Sequence, residues 1–228
     1  MISICRMKQL AVALRSARVV TANRPEDESN IVQLLRVLVD FGSSLSYLCI
    51  KCIKLPTRWH LSPQIVKLLA RLRLTHLSLP RPRLRGDSDW NGILNAVPAL
   101  ESLTFTWGGA LKLVELVPFA KLLPHLSCFS CDISFTSIRE LQEQTIVTPN
   151  PPSLKPLRLE IFIQERSLYE LPNARARAIA ADTEKIARYL HMLWPNIECK
   201  TITYEGNYED PPELIQLNKT LCQLRGQS

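Results

Sequence analysis

Two Cys-x-x-Cys pairs, Cys49/Cys52 and Cys128/Cys131, have a spacing that could support metal chemistry. Four thiolates bind zinc tetrahedrally, so such pairs predict a zinc site when they lie close together. Here the pairs are far apart in the chain, and both fall on predicted strands, where residues i and i+3 point to opposite faces. The spacing favours structural cysteines, with Cys131 in a core position, and we assign no metal ligands.

The histidines and the glycine motifs give no catalytic pattern. His60, His76, His125 and His191 lack the H-x-x-x-H and H-E-x-x-H spacings of metal sites. The sequence contains no G-x-S-x-G, phosphate-binding loop or G-x-G-x-x-G motif. We therefore predict no catalytic residues, no cofactor and no enzymatic activity. The alternative is a small Cys/His metal-binding protein, or an enzyme without a recognisable motif.

A basic run flanks one predicted strand on both sides. The run comprises Lys67, Arg71, Arg73, Arg81, Arg83 and Arg85, with no acid before Asp87. Arg81, Arg83 and Arg85 form a predicted basic rim, and arginine pairs bidentately with carboxylates and phosphates. A solvated edge explains the same residues without any partner. Nucleic acid is disfavoured, because no aromatic residues are interleaved for base stacking.

The spacing L-x-x-L-x-L recurs and organises the rest of the chain. Copies begin at positions 45, 74, 100, 126 and 154. A weaker copy (Leu14, Ala17, Val19) lies upstream of these, and a degenerate copy (Trp194, Ile197, Cys199) lies downstream. The steps between the five clear copies fall within the period of about 20–29 residues that leucine-rich repeats have. Helical patterns lie between the copies, such as Ile31, Leu34, Leu35 and Leu38.

These patterns predict an α/β leucine-rich-repeat solenoid of six to seven irregular repeats. A concave parallel sheet and outer helices are expected. We predict one domain over 1–228, with repeats at 14–163 and a helical C-terminal cap at 164–228 that contains the degenerate last strand. Ser62-Pro63 predicts one helix start, 174–193 a long helix, and Asp210-Pro211 the start of the last helix. A short helix over residues 111–116 is expected to stop near Pro118.

Strand alternation also predicts which side chains face a partner. The middle and last apolar positions of each copy point inward, and the residues that alternate with them point outward. The predicted concave-face residues are Tyr47, Cys49, Lys51, His76, Ser78, Ser102, Thr104, Thr106, Ser130, Asp132, Arg158 and Glu160. This polar, mixed-charge set predicts a non-enzymatic protein-binding face.

Composition sets the remaining bounds. The 228 residues are 46% hydrophobic and 21% charged, which predicts a globular chain, and no apolar run approaches the length of a transmembrane helix. The net charge of +7 favours acidic partners. Seven cysteines and the lack of a signal-peptide pattern predict a reducing compartment, either cytoplasm or nucleus.

Three phrases resemble the irregular leucine-rich repeats of fungal F-box-like proteins. They are Val97-Pro98-Ala99-Leu100-Glu101-Ser102-Leu103-Thr104-Phe105, Leu123-Pro124-His125-Leu126-Ser127-Cys128-Phe129-Ser130-Cys131 and Leu193-Trp194-Pro195-Asn196-Ile197-Glu198. The resemblance covers the repeat region, and no clear F-box accompanies it. It implies substrate recognition for an SCF-type ubiquitin ligase. The implied partners are a ubiquitin-ligase substrate and the SCF adaptor, with no membrane.

Overall fold

A computed structural model describes ten parts of the chain. They are residues 15–21, 28–41, 44–52, 62–80, 88–106, 110–135, 156–162, 171–203, 206–207 and 210–226. The contacts divide the chain into two compact units, Met1–Gly108 and Gly109–Ser228. Parallel strands alternate with helices in both units, so the predicted α/β class is confirmed. The assignment of all residues to one repeat domain stays a prediction.

The first unit contains four parallel strands and three helices among its described residues. The strands are β1 (Ser16–Thr21), β2 (Tyr47–Cys52), β3 (His76–Pro80) and β4 (Ser102–Thr106), paired in that order. The helices are α1 (Glu28–Phe41), α2 (Pro63–Leu69) and α3 (Ser88–Ala96), one between each pair of consecutive strands. This order is the strand–helix–strand crossover that parallel pairing requires.

The second unit contains a second parallel arrangement and a small strand pair. Its elements are β5 (Leu111–Lys112), a 3-10 helix (Leu113–Leu116), α4 (Val117–Leu122), β6 (Cys128–Cys131), β7 (Ile133–Ser134), β8 (Leu157–Phe162), α5 (Leu171–Leu193), β9 (Ile197–Thr203), β10 (Gly206–Asn207) and α6 (Pro212–Arg225). β6, β8 and β9 pair in parallel, β10 pairs antiparallel with β9, and β5 pairs with β7.

The strand register in the first unit matches the repeat copies expected from the sequence. Ala17 pairs with Leu48, Leu48 with Leu77, and Leu77 with Leu103. Each of these residues is the middle apolar position of its copy. In the second unit, Leu157 pairs with Ile197, which again joins the middle positions of two consecutive copies. The recurring leucine spacing therefore predicts which residues are neighbours across these strands.

One pairing is shifted by two residues from the alignment of the repeat copies. The copies that begin at Leu126 and Leu154 place Phe129 beside Leu157, whereas Phe129 pairs with Leu159. Because side chains alternate with a period of two, a shift of two residues keeps the same side chains on the core face. Phe129, Leu157, Leu159 and Ile161 are accordingly all buried.

The core consists of the inward strand positions and the apolar helix stripes. In the first unit, Leu48, Leu77 and Leu103 form one buried row across three strands. Trp90 of α3 packs on Phe105 of β4, with ring centroids 5.3 Å apart. In the second unit, Phe119 of α4 stacks on Phe129 of β6 at 4.8 Å. The repeat positions predicted to point inward are buried wherever their side chains are described.

The start of α2 is set by the predicted cap. The Ile65 N–H donates to the Ser62 Oγ at 3.4 Å, and Pro63 occupies the first helical position. We expect Ser62→Ala to lower the free energy of unfolding by about 1 kcal/mol. Urea denaturation measures this change, and Ser62→Asp, which keeps a side-chain acceptor, is the control. Equal midpoints for wild type and Ser62→Ala would contradict the cap.

The helix predicted over 111–116 is corrected. Leu111 and Lys112 form β5, a 3-10 turn covers Leu113–Leu116, and α4 begins at Val117. Pro118 therefore lies in the first turn of a helix and does not end one. Proline is accepted there because the first helical N–H groups have no intrahelical acceptor. The last helix matches expectation, with α6 over Pro212–Arg225. The single long helix predicted over 174–193 is corrected, because α5 (Leu171–Leu193) has a kink at Asp182, whose backbone is not helical.

Side chains from α6 cover the edge of β9 that faces away from β8. Both backbone groups of Cys199 bind Asn218. The Cys199 N–H donates to Asn218 Oδ1 at 2.9 Å, and Asn218 Nδ2 donates to the Cys199 carbonyl at 2.7 Å. Arg225 Nη2 donates to the Ile197 carbonyl at 2.5 Å. An amide side chain thus makes the two bonds that a neighbouring strand would make.

The same edge is covered further along β9. Asp210 accepts from the Thr201 N–H at 2.7 Å and from the Thr201 hydroxyl at 2.8 Å, and beyond this point β10 pairs with Ile202 and Thr203. Burial raises the pKa of the nearby Cys199 thiol to about 12, with the Asp210 charge adding to the effect. Polar groups from 210–225 therefore satisfy an edge that would otherwise be open to strand pairing.

Among the described residues, none of the helices combines the length and apolar character needed to cross a membrane.

Candidate interaction surface

Each unit has a polar sheet face opposite its buried strand positions. The first polar face consists of Tyr47, His76, Ser78, Ser102 and Thr104, which lie on β2, β3 and β4. The register places Tyr47, His76 and Ser102 in one row, and Cys49, Ser78 and Thr104 in the next. Every member of this face is at least partly exposed.

Two rings dominate the first polar face. Tyr47 and His76 are both exposed, and their ring centroids lie 6.0 Å apart with planes tilted by 38°. His76 Nδ1 lies 2.9 Å from the Thr75 Oγ1, and the Thr75 hydroxyl lies within hydrogen-bond distance of the Ser46 carbonyl at 3.3 Å. The imidazole is therefore oriented by the turn that precedes β3.

Cys49 corrects the predicted face. It was expected to be exposed, but its exposed fraction is 2%. β2 has a strand on each side, with Arg18 and Ser78 at the flanking register positions, and the thiol side chain is short. Neighbouring strands therefore leave Cys49 almost no contact with water, and this position cannot touch a partner directly.

The second polar face has alternating charges. It consists of Cys128 and Ser130 on β6, Arg158 and Glu160 on β8, and Glu198 and Lys200 on β9. The register places Arg158 beside Glu198 and Glu160 beside Lys200. Along the strands, Arg158 Nε lies 3.0 Å from Glu160 Oε1, and Lys200 Nζ lies 3.4 Å from Glu198 Oε1. Each charge therefore has an opposite charge both along its strand and across the sheet.

Glu160 is the centre of this second face. One carboxylate oxygen pairs with Arg158, and the other accepts from the Ser130 hydroxyl at 2.5 Å. Ser130 was expected to be exposed, but its exposed fraction is 3%. The longer Glu160 side chain covers the short Ser130 side chain to which it is hydrogen-bonded. Ser130 therefore orients Glu160 and is not itself accessible to a partner.

Arg158 remains accessible although it is held in place. Its side chain is 52% exposed, against 17% for Glu160. A hydrogen bond with Cys128, followed by the Glu160 charge, raises the pKa of the guanidinium. Burial, followed by the Glu160 charge, raises the pKa of Cys128, so this thiol is not activated as a nucleophile. The cluster therefore positions the Arg158 cation on this face.

Sequence reasoning missed Glu198 and Lys200. All three side chains of the degenerate copy Trp194, Ile197, Cys199 are buried. Strand alternation applied to that copy places Glu198 and Lys200 on the outward face, where both are exposed. The spacing of this copy is therefore a signal for Glu198 and Lys200, although the copy lies in the segment predicted as a cap.

Some predicted residues lie elsewhere. Asp132 follows β6, is partly exposed, and accepts the Leu111 N–H through its backbone carbonyl at 2.7 Å, at the point where the chain enters β7. Lys51 and Thr106 lie in β2 and β4, and their side chains are outside the described residues. Arg81, Arg83 and Arg85 are also outside them, so the basic rim stays a prediction.

The second Cys-x-x-Cys pair is separated by its strand as expected. Cys131 is buried in the core, whereas Cys128 lies on the second polar face beside Arg158. The part of the chain that the structure describes contains no group of three or more His, Cys, Asp or Glu side chains that could hold a metal ion.

Comparison with known proteins adds no relative to this geometry: no protein-family model matches the chain, and no curated protein matches it at a significant level.

Proposed function

We propose that this chain is a non-enzymatic protein-interaction module of the leucine-rich-repeat type. In this proposal the units form a solenoid of six to seven irregular repeats, with a concave sheet and outer helices. The agreement between repeat copies and strand register supports it, because stacked repeats place equivalent residues side by side. The covered edge of β9 supports a capping role for the C-terminal segment.

The observation that carries the function is the pair of polar sheet faces. Flat or curved sheet surfaces with oriented aromatic and charged side chains suit recognition of another protein. Tyr47 and Arg158 belong to the residue types that most often dominate such interfaces. Both are exposed, the His76 ring lies beside Tyr47, and the Glu160 carboxylate pairs with Arg158.

We extend the proposal to the partner class that the resemblance implies. The chain would recognise substrates for an SCF-type ubiquitin ligase in the cytoplasm or nucleus. The free thiols of Cys49, Cys128, Cys131, Cys199 and Cys222 fit a reducing compartment.

Affinity purification of the tagged full chain from its native cells, followed by mass spectrometry, identifies the partner. Recovery of the SCF adaptor and cullin supports the ubiquitin-ligase role. Recovery of other proteins without them contradicts that role and supports a free-standing recognition module. The recovered partner is then produced in pure form for titration.

The titration uses variants of the two faces. We expect Tyr47→Ala, Lys51→Glu and Arg158→Glu each to weaken partner binding about tenfold, the effect of losing one good interface contact. Arg188→Glu is the matched control, because Arg188 is an exposed arginine on α5 and the charge change is the same. Unchanged circular dichroism excludes unfolding. Wild-type affinity in all three face variants would overturn the proposal.

A further inference from the structure

The positive charge of the chain is concentrated in the first unit. Residues 1–108 carry fifteen Lys and Arg against seven Asp and Glu, a net charge of +8, whereas residues 109–228 carry thirteen against fourteen, a net charge of −1. The whole excess of +7 therefore arises in one half of the sequence. A charged partner is therefore attracted differently by the two units, because their net charges differ in sign.

Within the described strands, the sheet face of the first unit has no acidic position. Strand alternation and register assign three positions of each strand to this face, and within the described strands none of them is Asp or Glu. Arg18 of β1 and Lys51 of β2 occupy two of these positions, and His76 of β3 a third. The second polar face, by contrast, balances Arg158 and Lys200 with Glu160 and Glu198.

The remaining side chains of the first polar face are hydrogen-bond donors. Ser78, Ser102 and Thr104 carry hydroxyl groups and are partly exposed. Tyr47 adds a phenol next to the His76 ring. Hydroxyl and imidazole N–H groups donate well to carboxylates, and such bonds to a charged acceptor are about twice as strong as neutral ones.

We propose that this face binds an extended Asp/Glu-rich segment of the partner protein. The inference rests on the protein-binding function proposed above and specifies the chemistry of the partner. Four neighbouring strands span about 14 Å, which is the length of four to five extended residues. A segment that crosses the strands therefore meets the row of Tyr47, His76 and Ser102 and the basic positions beside it.

The face favours a peptide over nucleic acid. Sequence-tolerant binding of single strands needs several aromatic platforms along a cationic track. The described part of this face has one ring pair, Tyr47 and His76, and its other described members, apart from the buried Cys49, are small hydroxyl residues. Short hydroxyl side chains leave room for carboxylate side chains but offer no stacking surface.

Fluorescence anisotropy with the full chain tests the proposal. The probes are a labelled twelve-residue peptide of alternating Glu and Ser, its Gln/Ser counterpart, a phosphoserine counterpart of the same net charge, and a single-stranded RNA of twelve nucleotides. We expect the Glu peptide to bind about tenfold more tightly than the Gln peptide, because charge-assisted bonds are lost in the second. We expect the affinity to fall with added salt.

A matched pair of variants locates the site. Lys51→Glu and Arg71→Glu change the net charge by the same amount, but Lys51 lies in β2 whereas Arg71 is exposed after α2. We expect Lys51→Glu to weaken binding of the Glu peptide about tenfold and Arg71→Glu less than about twofold. Equal losses of affinity in the two variants would overturn the proposed site, because the net positive charge of the unit as a whole would then explain the binding. Thr104→Ala, which removes a donor and no charge, provides a second measurement if Lys51→Glu fails to fold.

The other probes give the remaining outcomes. Tighter binding of RNA or of the phosphoserine peptide would overturn the choice of a carboxylate segment. Failure of the Glu peptide to bind at all would overturn the inference outright. In that case, an affinity-purified partner that still loses binding with Arg158→Glu would leave the protein-interaction function in place, so the two failures are distinguishable.

Discussion

Asn218→Ala lowers the free energy of unfolding by about 3 kcal/mol. The variant removes both side-chain bonds to Cys199, whose backbone N–H and carbonyl lie on the edge of β9 within a buried residue. Each buried backbone group left without a partner costs about 1–3 kcal/mol. Urea denaturation followed by circular dichroism measures the loss.

The uncovered edge also changes association. An unpaired strand edge is a template for pairing with another chain, so we expect Asn218→Ala to form dimers or larger species on size-exclusion chromatography. Gln216→Ala is the control, because Gln216 is exposed on the same helix. A monomeric Asn218→Ala variant with wild-type stability would show that water replaces the amide at no cost.

Phe129→Ala lowers the free energy of unfolding by about 3–5 kcal/mol, the cost of removing a buried aromatic ring and leaving a cavity. Phe129 lies in β6, has no exposed surface, and stacks on Phe119 with planes inclined by 26°. Guanidinium denaturation monitored by circular dichroism gives the difference.

Two further variants keep this prediction informative. Phe129→Leu retains most of the apolar volume and is expected to cost less than Phe129→Ala, which matters if the alanine variant does not fold. Val114→Ala is the control, because Val114 is 40% exposed and its truncation should change stability by about 0.5 kcal/mol. If Phe129→Ala cost no more than Val114→Ala, the stack of Phe119 and Phe129 would not belong to the core.

Most of the strand arrangement follows from one spacing rule. Leu45, Leu48 and Ile50 recur as Leu74, Leu77 and Leu79 because each copy must bury the same side of a strand. The separation between copies then equals the offset between paired strands. Where proline-rich sequence separates copies, as between 131 and 154, spacing no longer fixes the offset, and the observed pairing is shifted by two residues from the alignment of the copies.

Other features depend on neighbours that sequence pattern does not identify. Cys49 and Ser130 have the alternation of outward residues, but their burial results from flanking strands and from Glu160. β5, β7 and β10 have two residues each, too few to show a period. The pairing of Glu160 with both Arg158 and Ser130 joins residues on two different strands and becomes visible only once the register is known.

The use of the Asn218 amide has a consequence for glycosylation. Asn218-Lys219-Thr220 is the one Asn-x-Ser/Thr acceptor sequence in the chain. In the trans amide of an N-glycan, the sugar replaces the Nδ2 hydrogen that lies on the same side as Oδ1. Asn218 donates this same hydrogen to the Cys199 carbonyl when its Oδ1 accepts from the Cys199 N–H. A sugar on Asn218 and a closed β9 edge are therefore mutually exclusive. Glycosylation of Asn218 before folding would therefore leave the backbone of Cys199, on the edge of β9, without its side-chain partner.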